Sequence, residues 1–371
     1  MGLLFLVFSI AVNYFTWISM KTNSAESVTA SSIQKHTSAR RMLLFLREML
    51  LSSGVKLIEP VRKYAYIKTH KTGSTTLWYV MKIYAINNGL RRVEARDKVH
   101  LGYPRHLQLN NSRMYRQTHK VGEYDTLYDH CRFNKSVMDK LLNKPAYITI
   151  LRHPITRFVS AFYFHGRYRL LVGNETSAGQ FLSEIDKYKK RVNRFAKWAG
   201  FNGMAFDLGI DPPYKDEDVE RKIAEVDESF TVVLIMEYMP ESMVLLKRTM
   251  GWELDDVIAV PQNSHPELVS KSGSSTDKYT AHHTDDSLDK KQKDTLAQLS
   301  HADMKIYHHF NATFWKRVQA EFRFKEEVQL YQKKLERYLK KREKKGLLEK
   351  DVILGKLKLP DKALSASKNS N

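Results

Sequence analysis

Two apolar runs of strand length each give way to a polar loop and then to a helical pattern, and this repeat narrows the fold more than any other feature. Tyr64–Lys68 (YAYIK) is β-prone, a Thr/Gly/Ser loop follows, and LWYVMKIYAI at 77–86 has the length and apolarity of a buried helix. The second unit starts with Ala146–Leu151 (AYITIL), after which Pro154 suits a helix's first turn and 155–165 continues with apolar spacing. A third strand, Phe230–Met236 (FTVVLIM), precedes a helix near 240–250 with Pro240 at its start. Strands alternating with helices predict a three-layer α/β domain with a mainly parallel central sheet and extra helices. The stretch 262–290, dense in Ser, Thr, Asp and His, reads as a loop, and a polar helix over about 318–345 closes the fold before a disordered tail.

Residues 2–20 carry no charge and are long enough to cross a bilayer, with neither a basic flank nor a clear cleavage site, so a signal anchor is expected over a cleaved signal peptide. The predicted layout is a transmembrane anchor at 1–20, a Ser/Thr-rich stem at 21–61, a catalytic-size domain at 62–325, and a basic helix with its tail at 326–371. Lys21, Lys35, Arg40 and Arg41 follow the span and mildly oppose a lumenal body. The sequons at Asn110, Asn134, Asn174 and Asn311 favour one, and a lumenal body is the preferred reading. Cys131 is the only cysteine, which excludes an internal disulfide and a cysteine-based zinc site while leaving an intermolecular bridge open. The net charge of +20 suits anionic partners, although the basic run at 316–350 also reads as a solvated helix face.

The segment KTHKTGSTT at 68–76 lies between the first strand and its helix, where unpaired backbone N–H groups form an anion cradle. Gly73 allows close backbone approach, Ser74, Thr75 and Thr76 offer hydroxyls, and Lys71 can meet an oxygen that gains charge as a bond breaks. A helix-capping turn is the plainer alternative. Lys71 precedes Gly73 with no glycine upstream in the loop, an order that opposes a Walker A motif and an NTPase.

Arg152 leaves the second strand at its carboxyl end and Ser160 follows about two helical turns on, so the two can clamp a second phosphate. Arg157 reads equally as a helper or a surface cation. A hydroxyl acceptor would need a base near neutral pH, for which His130 is the first candidate and His70, adjacent to Lys71, the competing one. The pairs His282/His283 and His308/His309 are weak metal candidates, and no metal is expected.

Taken together, YIKTHKTGSTT (66–76), HCRFN (130–134), ITILRHPITRFVSAFYF (148–164), NGMAFDLGID (202–211), VLIMEYMPESMVLLKRTMGWELDDV (233–257) and IYHHFNATFWKRV (306–318) resemble the galactose-3-O-sulfotransferase family. The resemblance covers most of 62–320. It implies a P-loop-like sulfotransferase fold and a single-pass type II Golgi membrane protein with a lumenal catalytic domain. The implied reaction moves a sulfuryl group from 3′-phosphoadenosine 5′-phosphosulfate (PAPS) to the 3-hydroxyl of a galactose on glycolipid or glycan. Carried over by position, Lys71 is the essential lysine; Thr72, Gly73, Ser74, Thr75 and Thr76 hold the 5′ side; Arg152 and Ser160 hold the 3′-phosphate; His70 and His130 stand by the acceptor. Position 153 is His where the family often has Asn or Asp, and 262–290 departs from the family's text. Alternatives are a glycosaminoglycan-type or other carbohydrate acceptor and, further off, a nucleotide kinase. No nucleic-acid partner is expected, and a homodimer is left open.

Overall fold

The first apolar run forms β1 (Tyr64–Ile67), whose four side chains are all buried. Successive strand residues point to opposite faces, so a strand buried throughout must be covered on both sides. The computed structural model supplies that cover. It describes residues 59–97, 99–164, 173, 176–188, 200–258 and 288–344. The apolar run at 2–20, the stem through residue 58, 262–287 and the tail beyond 344 lie outside them. The chain divides into two units after Glu59, and all helices and strands of the described residues belong to the second, from Pro60 onward.

Chain order runs β1, α1 (Ser74–Asn87), β2 (Glu94–Ala95), β3 (Tyr115–Arg116), β4 (Thr126–Leu127), α2 (Lys135–Leu142), β5 (Ala146–Leu151) and α3 (Pro154–Phe164). It continues with α4 (Ala178–Ser183), α5 (Gly203–Asp207), α6 (Asp216–Ser229), β6 (Phe230–Ile235), α7 (Met239–Met250), α8 (Lys290–Leu299), α9 (His301–Ala320) and α10 (Phe324–Lys344). The main sheet has the order β4–β1–β5–β6 with every pair parallel, and β2 and β3 form a separate antiparallel pair. All four strands therefore end on one rim, where open parallel sheets bind ligands.

The helices follow the expected pattern with shifted boundaries. In α1 the buried Leu77, Val80, Met81, Tyr84 and Ala85 recur at helical spacing. The helix starts at Ser74, ahead of the apolar run, because Gly73 in the left-handed region (φ +70°) turns the chain directly into it. The sequence predicts a single helix over 318–345; two form instead, broken at Arg323 (φ +51°). Neither Gly nor Pro marks that break. Arg248 of α7 holds it, donating from Nη1 to Glu321 and to the Phe322 carbonyl and from Nε to Glu327. The basic α10 is not solvated all round, for Val328, Tyr331 and Leu335 join the main core. A second apolar cluster, including Phe158, Phe162, Phe181 and Phe201, fixes the far side of α3. Among the described residues no helix is long and apolar enough to cross a membrane.

Candidate active site

Beyond Ile67 the chain leaves β1 through Lys68 and turns sharply. Lys71 (φ +63°) and Gly73 both take left-handed backbone. The turn is braced from within. Thr72 and Ser74 donate their hydroxyls to the Thr69 carbonyl, and the Thr69 hydroxyl donates to Ile150 of β5. Thr72, Ser74 and Thr76 are buried, whereas Lys71, Gly73 and Thr75 reach the surface in part. No side chain caps α1, so its first N–H groups stand at the rim as an anion cradle. A Cβ on Gly73 would come within 3.0 Å of Met236 Cγ, which reserves this position for glycine.

Arg152 leaves β5 beside this turn. Its Nη1 donates to the Lys71 carbonyl (3.3 Å) and its Nε to the Thr156 hydroxyl (3.1 Å), so the two expected anion sites form one cluster. Thr156, Ser160 and Phe164 are spaced at four residues and line up on one side of α3, away from its apolar face. Lys71 reaches the same side, with Nζ 3.4 Å from the centroid of the exposed Phe164 ring. Ser160 thus lies between the positions engaged by Arg152 and by Lys71.

Sequence reasoning passed over a third cation. Lys68, 9% exposed, places Nζ 2.9 Å from His130 Nε2 and 3.5 Å from the Thr75 hydroxyl. Burial lowers the Lys68 ammonium to about 8, against the pull of Asp207 and Asp129. Lys71 is also lowered to about 8, by burial and then by Arg152 and Lys68. Arg152 is lowered to about 10, again by burial, with Glu237 opposing and Arg157 adding to the shift. Three neighbouring cations, two of them buried and Lys71 partly so, favour an anion among them.

Two histidines stack beside the cations, His70 on His130 with ring centroids 4.1 Å apart. Their bonding differs. Nδ1 of His70 lies 3.0 Å from Asp207 Oδ2, and its backbone N–H donates to the same oxygen at 2.7 Å. Tyr103 donates its hydroxyl to Asp207 Oδ1 (2.8 Å), with its ring 4.9 Å from that of His70. His130 is engaged through Nδ1 with the Lys68 carbonyl (3.1 Å) and through Nε2 with the Lys68 ammonium. Burial first, then His70, Lys68 and His100, push the His130 imidazole well below its ordinary value, so it stays neutral.

Asp207 was also missed. It stands 137 residues from His70 in sequence, inside the 202–211 segment that only the family resemblance marks out. Its helix, α5, begins where Asp303 of α9 accepts the backbone N–H groups of Met204 and Ala205. Arg157 is neither a ligand helper nor a surface cation. It is fully buried, its Nε 3.4 Å from Asp303 Oδ2, and it donates to the carbonyls of Gly200 and Phe201. The only cysteine, Cys131, is fully buried, which removes the intermolecular bridge that the sequence leaves open. His309 pairs with Asp227, and His282/His283 lie outside the described residues. Among the described residues no group of three or more His, Cys, Asp or Glu could hold a metal ion.

The family model for galactose-3-O-sulfotransferase matches residues 2–357. Galactose-3-O-sulfotransferase 2 of Sus scrofa is 31% identical over 269 residues, covering 71% of this chain and 63% of that protein. Galactosylceramide sulfotransferase of Bos taurus is 29% identical over 271 residues (71% of this chain, 59% of that protein), and galactose-3-O-sulfotransferase 3 of Bos taurus is 29% identical over 267 residues (68% and 57%). The aligned part spans less than two thirds of these relatives' own length. The matched range includes the turns after β1 and β5, the stacked histidines and the Asp207 segment, and the chain belongs to the galactose-3-O-sulfotransferase family.

Proposed function

We propose that the chain transfers a sulfuryl group from PAPS to a sugar hydroxyl, the 3-hydroxyl of a galactose on a glycolipid or glycan. The observation that carries this reading is the rim itself, where three desolvated cations adjoin a His–Asp pair. When bound, the donor supplies the sulfuryl group on a phosphate leaving group. The residues present fit it. Arg152 and Ser160 hold the 3′-phosphate, while the α1 amides, with Thr75, hold the 5′ side. Thr72, Ser74 and Thr76 shape the turn from its buried side. Lys71 and Lys68 meet the negative charge that gathers on the departing oxygen.

His70 is the general base. With its Nδ1–H donated to Asp207, its Nε2 takes the hydroxyl proton, and the carboxylate steadies the imidazolium that results. His130, whose Nε2 faces the Lys68 ammonium, holds that lysine in place and adds no charge against the protonated His70. The uncharged run at 2–20 supports a type II anchor with the catalytic unit in the Golgi lumen.

Incubating the full chain with labelled PAPS and a panel of β-galactosides, then locating the sulfate, tests the reading. Label on the galactose 3-hydroxyl is expected. Transfer only to other sugars would move the acceptor to a different carbohydrate, and phosphate transfer from ATP in place of sulfate transfer would overturn the proposal.

A further inference from the structure

Next to the histidine stack, on the β4 side of the rim, lies a cleft of about 520 Å³ whose walls include Arg96, His100, Tyr103, Arg105 and Arg113. Its size falls within the ~300–1,000 Å³ range of small-ligand sites. The walls are tied to the rim and to each other. His130 donates its N–H to the Val99 carbonyl, and its own carbonyl accepts from Leu101, both at 2.8 Å. Arg96 donates its N–H to the Met114 carbonyl (3.2 Å), which joins the two sides of the cleft. Gly102 (φ +79°) packs so closely on Met114 that a Cβ there would stand 2.6 Å from Sδ.

The charge of this cleft is lopsided. Arg96, Arg105 and Arg113 are exposed, and among the described residues none of their guanidinium groups has an ion-pair partner. Asp97 is the one acid in the walls, and it is already taken up by His100 Nδ1 (2.9 Å) and the N–H groups of Val99 and His100. Three planar cations around one concave surface favour carboxylate or sulfate. The donor's anions are accounted for elsewhere, on the β5 side, by Lys71, Arg152 and Ser160. Tyr103 connects the cleft to the chemistry, since it lines the walls and also donates to Asp207 beside His70.

We infer that this cleft takes the acid-bearing part of the acceptor, so that the preferred acceptor is a galactoside carrying a carboxylate or sulfate on a neighbouring sugar. The inference rests on the proposed galactoside activity and narrows its substrate class. Its test compares a neutral β-galactoside with the same galactoside bearing a glucuronate or a sulfate ester, using the full chain. Transfer kinetics are read alongside direct binding by calorimetry. The acid forms are expected to show a KM lower by about tenfold or more, a preference that shrinks as salt is raised. In the variant combining Arg96→Ala, Arg105→Ala and Arg113→Ala the ratio of acid to neutral KM should approach unity. The two acid arms separate a carboxylate site from a sulfate site. Equal KM values for neutral and acid galactosides in the unaltered chain, insensitive to salt, would overturn the inference while leaving the galactoside reading intact. Arginine-dependent binding of the acid galactoside without sulfate transfer to any galactoside would do the reverse.

Discussion

At Asp207, burial and hydrogen bonding pull the carboxyl in opposite directions. Burial raises it to about 7, while the Tyr103 hydroxyl, the His70 N–H and the charges of Arg157 and Arg132 act to lower it. A carboxylate so poised beside an imidazole decides which ring nitrogen of His70 carries the proton. Asp207→Asn keeps the shape and removes the charge. Turnover is expected to fall by roughly 10²–10⁴ with donor affinity retained, which single-turnover kinetics and adenosine 3′,5′-bisphosphate binding would measure separately. The two lysines give a different signature. Lys68 and Lys71 are both lowered to about 8, so the unliganded protein loses these charges as pH rises through that value. Affinity for adenosine 3′,5′-bisphosphate should hold below pH 8 and drop above it, by up to about tenfold per pH unit for each lysine that must be reprotonated. Calorimetry between about pH 6.5 and 9.5 reads this limb, and a flat profile would remove both lysines from the donor site.

Among the elements, α5 shows how a short helix is placed so that Asp207 meets His70. Only five residues long, it gains its position from neighbours. Asp303 takes two of its N–H groups, and Asn202 takes the N–H groups of Ala302 and Asp303 in return, so α5 and α9 cap one another. At its far end Gly209 (φ +95°) passes so close to the Phe133 carbonyl that an added Cβ would stand 2.5 Å away. Asp303→Ala would uncap α5 and leave the Arg157 guanidinium buried without its counter-charge. A loss of about 3–5 kcal/mol is expected from denaturant unfolding. None of this pairing is legible in the sequence, because Arg157 reads equally as a helper or a surface cation and its partner lies in a different helix. The boundary between α9 and α10 is hidden for a related reason, as the contacts that break the chain at Arg323 come from Arg248 of α7.

For the molecule as a whole, what could be read from the sequence tracks the range of the interactions involved. Strand, turn and helix at 64–87 and at 146–164 are set by neighbours in the chain, so the parallel sheet and the two turns at its rim were visible. That Lys71 and Arg152 meet is not legible in either turn alone, since it depends on β1 and β5 pairing in parallel register. Lys68 was hidden inside a strand-like run, and Asp207 reaches His70 only through the folded chain. The same topology has a consequence for how such a protein can diversify. The proposed nucleotide side consists of the short turns after β1 and β5, whereas the arginine-lined cleft belongs to the excursion between α1 and β4, outside the main sheet. Mutation can therefore remodel that excursion, the proposed acceptor side, without disturbing the two turns proposed to hold the sulfate carrier.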